Sequence, residues 1–457
     1  MKKSAPQNTV LGLPRSFGFW TGWFVVIASM VGSGILTNSG PILKSTGSYW
    51  ALLLTWGLGG ILSLIGALTL GEVASSYPQA GGDYTYVRMA LGSAFGFVFG
   101  WSMVVIGFGA PIALVAYATA NYLYPFAQGM GWAVPERFFV LGLATFLVSV
   151  FTFSHCLGHR SSSRVQSATT FFNFLLLGSF AVGGLLFGRG DWDNFRQGTA
   201  LTSVSAPSWG INLIRALYAY TGWNAATYLA GEVKNPQRNL PLTLGLGCLA
   251  VTFLYLLINV TYCFAISPQT LAALSSDELN RLAEVSMTRL FNPEAARVFS
   301  FLVSMGMLAA LSAFILTGPR IVYAMARDGL FPAWAGRLHP GSQVPREAIL
   351  AQGVLALVFL WSGTFDQVLN FAGYGLAVVG IFTVASVFWL RRRSDYRPSF
   401  RIPLYPWAPL AFLGISVASL VTSFVDDPKT SCLSLGCILM GFPLYWSLKK
   451  IGVKQLA

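Results

Sequence analysis

The sequence predicts an all-α polytopic membrane protein of about twelve transmembrane helices, and three observations carry that prediction. Hydrophobic residues make up 54% of the 457 positions and charged residues only 10%, where soluble domains carry about 25% charged. Mean hydropathy is +0.62, and apolar runs near the roughly 20 residues needed to cross a bilayer recur along the whole chain. Two of these runs, the first and the sixth, are broken by glycines and polar residues.

The first run covers 17–43, follows Pro14 and is closed by Lys44. Runs over 48–75, 92–124, 137–155 and 165–187 follow, and in the third of the twelve Gly92, Gly96 and Gly100 recur every four residues, which predicts one close-packing helix face. The sixth run is 209–231, and 240–266, 296–325, 347–362 and 367–390 complete a ten-helix core over 17–390. Ser267 to Glu294, containing Asp277-Glu278-Leu279, is the longest outer segment and is expected to form a short helix over the outer face. The basic, proline-bearing segment 391–406 separates the core from a final pair, 407–425 and 430–448, with tails at 1–16 and 449–457. Connections this short predict one membrane domain.

The net charge of +13 raises nucleic acid as a partner, but its distribution predicts none. With a cytoplasmic N-terminus and alternating spans, roughly twenty Lys/Arg fall inside and about eight outside, the positive-inside pattern of a multi-pass plasma or inner membrane protein. The inside set includes Lys2, Lys3, Arg160, Lys234, Arg327, Arg391, Arg392, Arg393, Lys449 and Lys450; Asp191, Asp193, Asp277, Glu278, Asp426 and Asp427 lie outside. Both termini are then cytoplasmic. The first run is too long for a cleavable signal and lacks a small-residue cleavage pattern. Cys156, Cys248, Cys263, Cys432 and Cys437 show no paired framework and are expected as free thiols.

Gly32-Ser33-Gly34 interrupts the first run. Each glycine loosens a helix by about 1 kcal/mol relative to alanine, and unwound backbone at membrane depth survives only inside protein or beside a cavity. Two explanations compete: a backbone that binds something, or a close helix–helix contact of small residues. The sixth run carries a matching break in Tyr218-Ala219-Tyr220-Thr221-Gly222-Trp223-Asn224. Broken helices at corresponding positions point to a transporter built from inverted five-helix repeats, here about 17–187 and 209–390.

The orientation supplies the chemistry. The first half-helix ends near Met30 and presents carbonyls with partial negative charge; the next begins near Gly34 and presents N–H groups. The first half of the sixth span ends near Ala219, again leaving carbonyls. A zwitterion with ammonium and carboxylate on adjacent atoms matches that polarity, since neither charge is cheaply desolvated without such partners. The candidate substrate site is therefore Met30, Gly32, Ser33, Gly34 and Ile35 with Tyr218, Ala219, Thr221 and Gly222.

Met30-Val31-Gly32-Ser33-Gly34-Ile35 resembles the first-span signature of the amino acid–polyamine–organocation (APC) superfamily of transporters. The sixth-span residues with Glu232-Val233-Lys234-Asn235-Pro236 through Pro241 resemble the L-type amino acid transporter branch of that family. Gly81-Gly82-Asp83-Tyr84-Thr85-Tyr86 and Met325-Ala326-Arg327-Asp328-Gly329-Leu330 extend the resemblance over nearly the whole chain. It implies a LeuT-like 5+5 inverted repeat with two additional C-terminal helices, working by alternating access. It also implies substrate carboxylate on the Ser33 and Gly34 backbone, ammonium on carbonyls near Met30 and Tyr218, and Tyr218 as an aromatic gate. Thr221 stands where relatives commonly have glycine, and narrows the pocket or adds a hydroxyl. Asn173 stands where relatives often carry a lysine in the fifth span, and a neutral amide does not replace a fixed ammonium. Exchange, uniport and coupling to a proton all stay open.

Four residues are gating or coupling candidates: Tyr218, Arg215, Asn173 and Asn224. Arg215 lies one turn from Tyr218 inside an apolar span, where an arginine costs roughly 2.5–3.5 kcal/mol on insertion scales; it snorkels, closes a gate ion pair or selects substrate. Asn224 is expected to satisfy backbone groups freed by the break. Glu72 and Glu232 are conceivable proton carriers, but helix-end capping and loop ion pairs are expected near the cytoplasmic surface. His155, Cys156 and His159 mimic metal-ligand spacing without a fourth ligand, so neither metal nor other cofactor is expected. No catalytic motif sits at membrane depth, so the chain is not expected to be an enzyme. The expected function is secondary transport of neutral L-amino acids without sodium. Amine or polyamine transport is the alternative, and would leave the Ser33 and Gly34 donors unused; an amino acid sensor is a third. L-type relatives can pair with a heavy chain through an outer-loop cysteine, which this sequence does not offer, so no disulfide-linked heavy chain is expected.

Overall fold

The computed structural model describes residues 15, 18–79, 81–157, 163–340 and 344–455. Among them the protein is helical throughout and no sheet forms. Eight helices are long and apolar enough to cross a membrane, and a ninth span arises if one bent pair is counted as a single crossing. That pair is α1 (Phe19–Met30) and α2 (Gly34–Thr46), bent by 43°.

The N-cap hydroxyl of Ser48 accepts from Ala51 N–H to start α3 (Tyr49–Ser76). A short α4 (Gly82–Leu91) then lies between Gly81 and Gly92, whose φ angles of +119° and +91° allow sharp turns at both ends. The expected close packing of the third span holds for Gly96, against Arg88, and Gly100, against Met325, but Gly92 is the turn before the helix and not part of its face. α5 (Ser93–Ser102) passes through a π-helical stretch, Met103–Gly109, into α6 (Ala110–Gly129). α7 (Glu136–Cys156) and α8 (Ser163–Phe187) follow.

After the single turn of α9 (Asn194–Gln197), the sixth run divides into α10 (Ala206–Ala219) and α11 (Ala225–Tyr228). Next come α12 (Pro236–Ala265) and three short helices: α13 (Pro268–Ala273), α14 (Ser276–Leu279) and α15 (Leu282–Leu290). The long segment after the seventh run therefore holds three helices, where one was expected. A capping box between Ser275 and Glu278 starts α14. α16 (Pro293–Arg327), α17 (Arg346–Ser362) and α18 (Phe365–Leu390) complete the series to 390, and α19 (Trp407–Asp426), α20 (Pro428–Leu439) and α21 (Gly441–Gln455) end it. Helix continues through 449–455, so most of the expected C-terminal tail extends the last span. Two of the apolar runs form shorter helices, the interrupted α10 at 14 residues and α17 at 17, while α8 is 25 residues long.

The long helices pack in pairs, α3 along α12, α6 along α16, α10 along α19, and α1 along α12. Their contact positions the two breaks, because α1 and α3 share one neighbour. At the end of α3, Glu72 is fully buried. Its carboxylate accepts two bonds from Arg391 (2.7 and 2.6 Å), one from Tyr396 Oη (2.8 Å) and one from Ile402 N–H (2.8 Å). Arg391 also lies over the Tyr405 ring at 3.4 Å. The basic segment 391–406 is thus clamped onto the core by one fully satisfied carboxylate, the loop ion pair expected of Glu72. Lys2, Lys3, Arg160 and His159 lie outside the described residues.

Candidate functional site

The two broken spans meet. A methyl group at Gly34 would lie 2.6 Å from Ala219 Cα, and one at Gly222 would lie 2.4 Å from the Ser29 carbonyl oxygen. The start of α2 therefore abuts the end of α10, while the turn after α10 abuts the end of α1. Gly222 has φ +102°, so it serves both a left-handed turn and a close approach. At Gly32 a methyl would meet no heavy atom within 4 Å. The two explanations of the glycine pair thus separate by residue: Gly34 is a packing contact, and Gly32 is the glycine with open space beside it.

Hydrogen-bond donors gather at this crossing. Among the described residues, the N–H groups of Gly32, Ser33, Gly34 and Ile35 have no acceptor, and the first backbone bonds of α2 come from Leu36 and Thr37 to Ser33 (both 3.0 Å). Unpaired N–H groups at a helix start carry partial positive charge and suit an anion. Ser33 is buried as the N-cap, and its hydroxyl makes no capping bond.

The facing carbonyls are partly engaged. Tyr255, from the middle of α12, donates its hydroxyl to the Met30 carbonyl at 2.6 Å and to the Ala219 carbonyl at 3.2 Å. One phenol thereby ties the C-terminal ends of α1 and α10 together. The Tyr218 carbonyl accepts both the N–H (3.0 Å) and the hydroxyl (2.6 Å) of Thr221. Thr221 therefore turns its hydroxyl onto the break itself, and the Tyr218 oxygen is already used within the turn. Behind the crossing, Trp56, Tyr220 and Tyr255 pack with ring centroids 5.0–5.7 Å apart, and Tyr220 donates to the Trp56 carbonyl at 3.0 Å. Tyr122 of α6 donates to Leu36 of α2 at 3.0 Å.

The remaining candidates spread around this centre. The Tyr218 ring is buried among Ile106, Ala110, Leu114 and Leu369. Arg215 donates to Asn370 (3.1 Å) and pairs with Asp366 (3.4 Å), both on α18. It lines a recess of about 210 Å³ with Lys44, Ser45 and Asp366. Arg215→Ala is expected to change substrate preference or KM about fivefold, the scale of a partly exposed ion pair; unchanged kinetics across an amino acid panel would remove it from the transport path. Asn173 packs against Gly306 of α16. Asn224 departs from expectation: its side chain donates to Asp83 of α4 and makes no cap bond to the freed backbone of α11. His155 bonds Ser312 at 3.0 Å.

Sequence reasoning passed over Tyr255, Asp83, Asp366 and Asn370. Tyr255 did leave a signal, since a phenol in the middle of an apolar span needs a hydrogen-bond partner. Its shorter bond goes to a partner 225 residues away in the chain, which periodicity does not reveal.

Two abutting broken helices, with free N–H groups at the start of α2 and carbonyls at the ends of α1 and α10, are the arrangement of a membrane carrier for a small polar solute. The profile of the amino acid permease family matches residues 17–442, and the chain belongs to that family. It is similar to the serine/threonine exchanger SteT of Bacillus subtilis (strain 168), 29% identical over 446 residues covering 96% of this chain and 98% of that protein. The Asc-type amino acid transporter 1 of Mus musculus is 27% identical over 452 residues (95% and 81%), and the human cystine/glutamate transporter 27% over 447 (97% and 87%). The protein is an amino acid transporter and not an enzyme.

Proposed function

We propose that this permease carries small neutral L-amino acids without sodium, by alternating access, through a twelve-span LeuT-like arrangement with inverted repeats over about 17–187 and 209–390. The abutment of the two breaks is the observation that carries this reading. The substrate carboxylate binds the N–H groups of Gly32, Ser33, Gly34 and Ile35, which have no other acceptor among the described residues. The ammonium takes the second lone pair of the Met30 carbonyl and neighbouring oxygens at the end of α1, because the Tyr218 carbonyl is used by Thr221. Ala219 and Gly222 hold the two halves together, and the Tyr218 ring closes over the substrate.

Substrate size follows from the same contacts. Thr221 and the bulk of Tyr218 favour a short side chain, in keeping with the named substrates of the serine/threonine exchanger SteT. An amine lacking a carboxylate leaves four donors unpaired, which disfavours the polyamine alternative. With both termini cytoplasmic and no disulfide-linked heavy chain, the chain works as a carrier by itself. Radiolabelled amino acids offered to proteoliposomes, with and without sodium and a pH gradient, test the reading. Uptake or exchange of serine-sized amino acids unaffected by sodium is expected; uptake only of amines, or none without sodium, overturns it.

A further inference from the structure

Two carboxylates are fully or almost fully buried, Glu72 and Asp83. They are opposites. Glu72 has Arg391 and two further donors, as described above. Asp83, in the first turn of α4 and 3% exposed, faces no cation among the described residues. The nearby arginine of its own helix, Arg88, pairs instead with Asp328 at the end of α16.

Asp83 sits at a joint between α4 and the second half of the broken sixth span. One oxygen, Oδ2, accepts from Asn224 Nδ2 and from Tyr228 Oη (3.5 Å). The other, Oδ1, is buried and has no partner among the described residues. The joint is tight, because a methyl at Gly82 would lie 2.6 Å from the Tyr228 ring. The titratable groups facing the carboxyl are Tyr228 from α11 and Tyr86 from α4 itself. A carboxylate without a counterion, half of it unbonded, is costly to keep ionised in such surroundings, and a proton removes the cost.

We propose that Asp83 is a proton-binding site coupled to movement of the second half of the sixth span. Docked against α11, Asp83 carries a proton on its carboxyl. When α11 moves away and water enters, the O–H bond breaks, the carboxylate keeps the electron pair and the proton passes to water. Burial pushes the docked carboxyl up to about 7, with the bonds from Asn224 and Tyr228 pulling the other way; the water-exposed form returns towards 3.8. Between those values the docked arrangement holds more protons than the open one. Acid therefore favours docking, and the preference is lost as pH rises towards 7.

This inference rests on amino acid transport and not on the substrate contacts at Gly32-Ser33-Gly34. Infrared spectroscopy of the full chain in proteoliposomes, titrated across neutrality, should show a protonated-carboxyl C=O band that disappears near neutral pH and is missing in Asp83→Asn. The pH dependence of uptake in the same vesicles should flatten in that variant. Tyr228→Phe keeps the ring, removes a donor to the ionised form, and should raise the infrared midpoint by about half a pH unit. No titrating carboxyl band near neutrality, or an Asp83→Asn pH profile matching the wild type, overturns the proposal. Should Asp83→Asn fail to fold, an unmoved midpoint in Tyr228→Phe overturns it equally. Failure of the substrate reading would appear separately, as lost binding of labelled amino acid with the infrared titration intact.

Discussion

Gly32→Ala should lower amino acid uptake in proteoliposomes by about a hundredfold while leaving thermal stability close to that of the wild type. The added methyl touches no protein atom within 4 Å, so packing does not suffer. It occupies the space through which a carboxylate approaches the N–H groups of Gly32 and Ser33. Hydrogen bonds to a charged group contribute about 1.5–3 kcal/mol each, and losing one or two accounts for the hundredfold. Gly34→Ala provides the contrast. Its methyl would collide with the Ala219 backbone at 2.6 Å, so that variant should lose stability and uptake together. Wild-type uptake by Gly32→Ala would remove the break from substrate binding, and an undiminished melting temperature in Gly34→Ala would contradict the abutment.

Tyr255→Phe is the second large effect. Phenylalanine preserves the packing of the ring against Trp56 and Tyr220, so the change isolates one hydroxyl. That hydroxyl bridges the Met30 and Ala219 carbonyls, and its loss leaves two helix-end oxygens buried without their shared donor. Hydrogen bonds between membrane helices average about 0.6 kcal/mol and reach about 1.7, and a bond serving two ends belongs near the top of that range. The expected result is a lower melting temperature of the purified protein and roughly tenfold slower uptake, because both half-helices lose registration at the site. Equal melting temperature and equal KM in the variant would show that the bridge does not organise the breaks.

The architecture was largely legible because its signals are local. Apolar runs and the position of Gly32-Ser33-Gly34 come directly from composition along the chain, and most helix boundaries fall within a few residues of the expected runs. Irregularities inside those runs were less legible. Gly92 has the four-residue spacing of a helix face, yet its φ of +91° makes it a turn, and spacing alone does not distinguish the two. The expectation for Asn224 missed because its partner Asp83 lies 141 residues earlier. Asp83 itself read only as part of a family motif, since nothing in its neighbours announces that no cation will reach it.

The sequence by itself determined the class of molecule, the two interruptions and the chemistry that suits them, because backbone freedom and hydropathy are properties of short stretches. Which glycine packs and which faces open space, which carbonyls are already bonded, and which buried carboxylate lacks a cation were decided only by the tertiary structure. Those properties depend on neighbours brought together by packing of α1, α3, α10 and α12, and a hydrogen bond or a lost solvation shell exists only once both partners are in place.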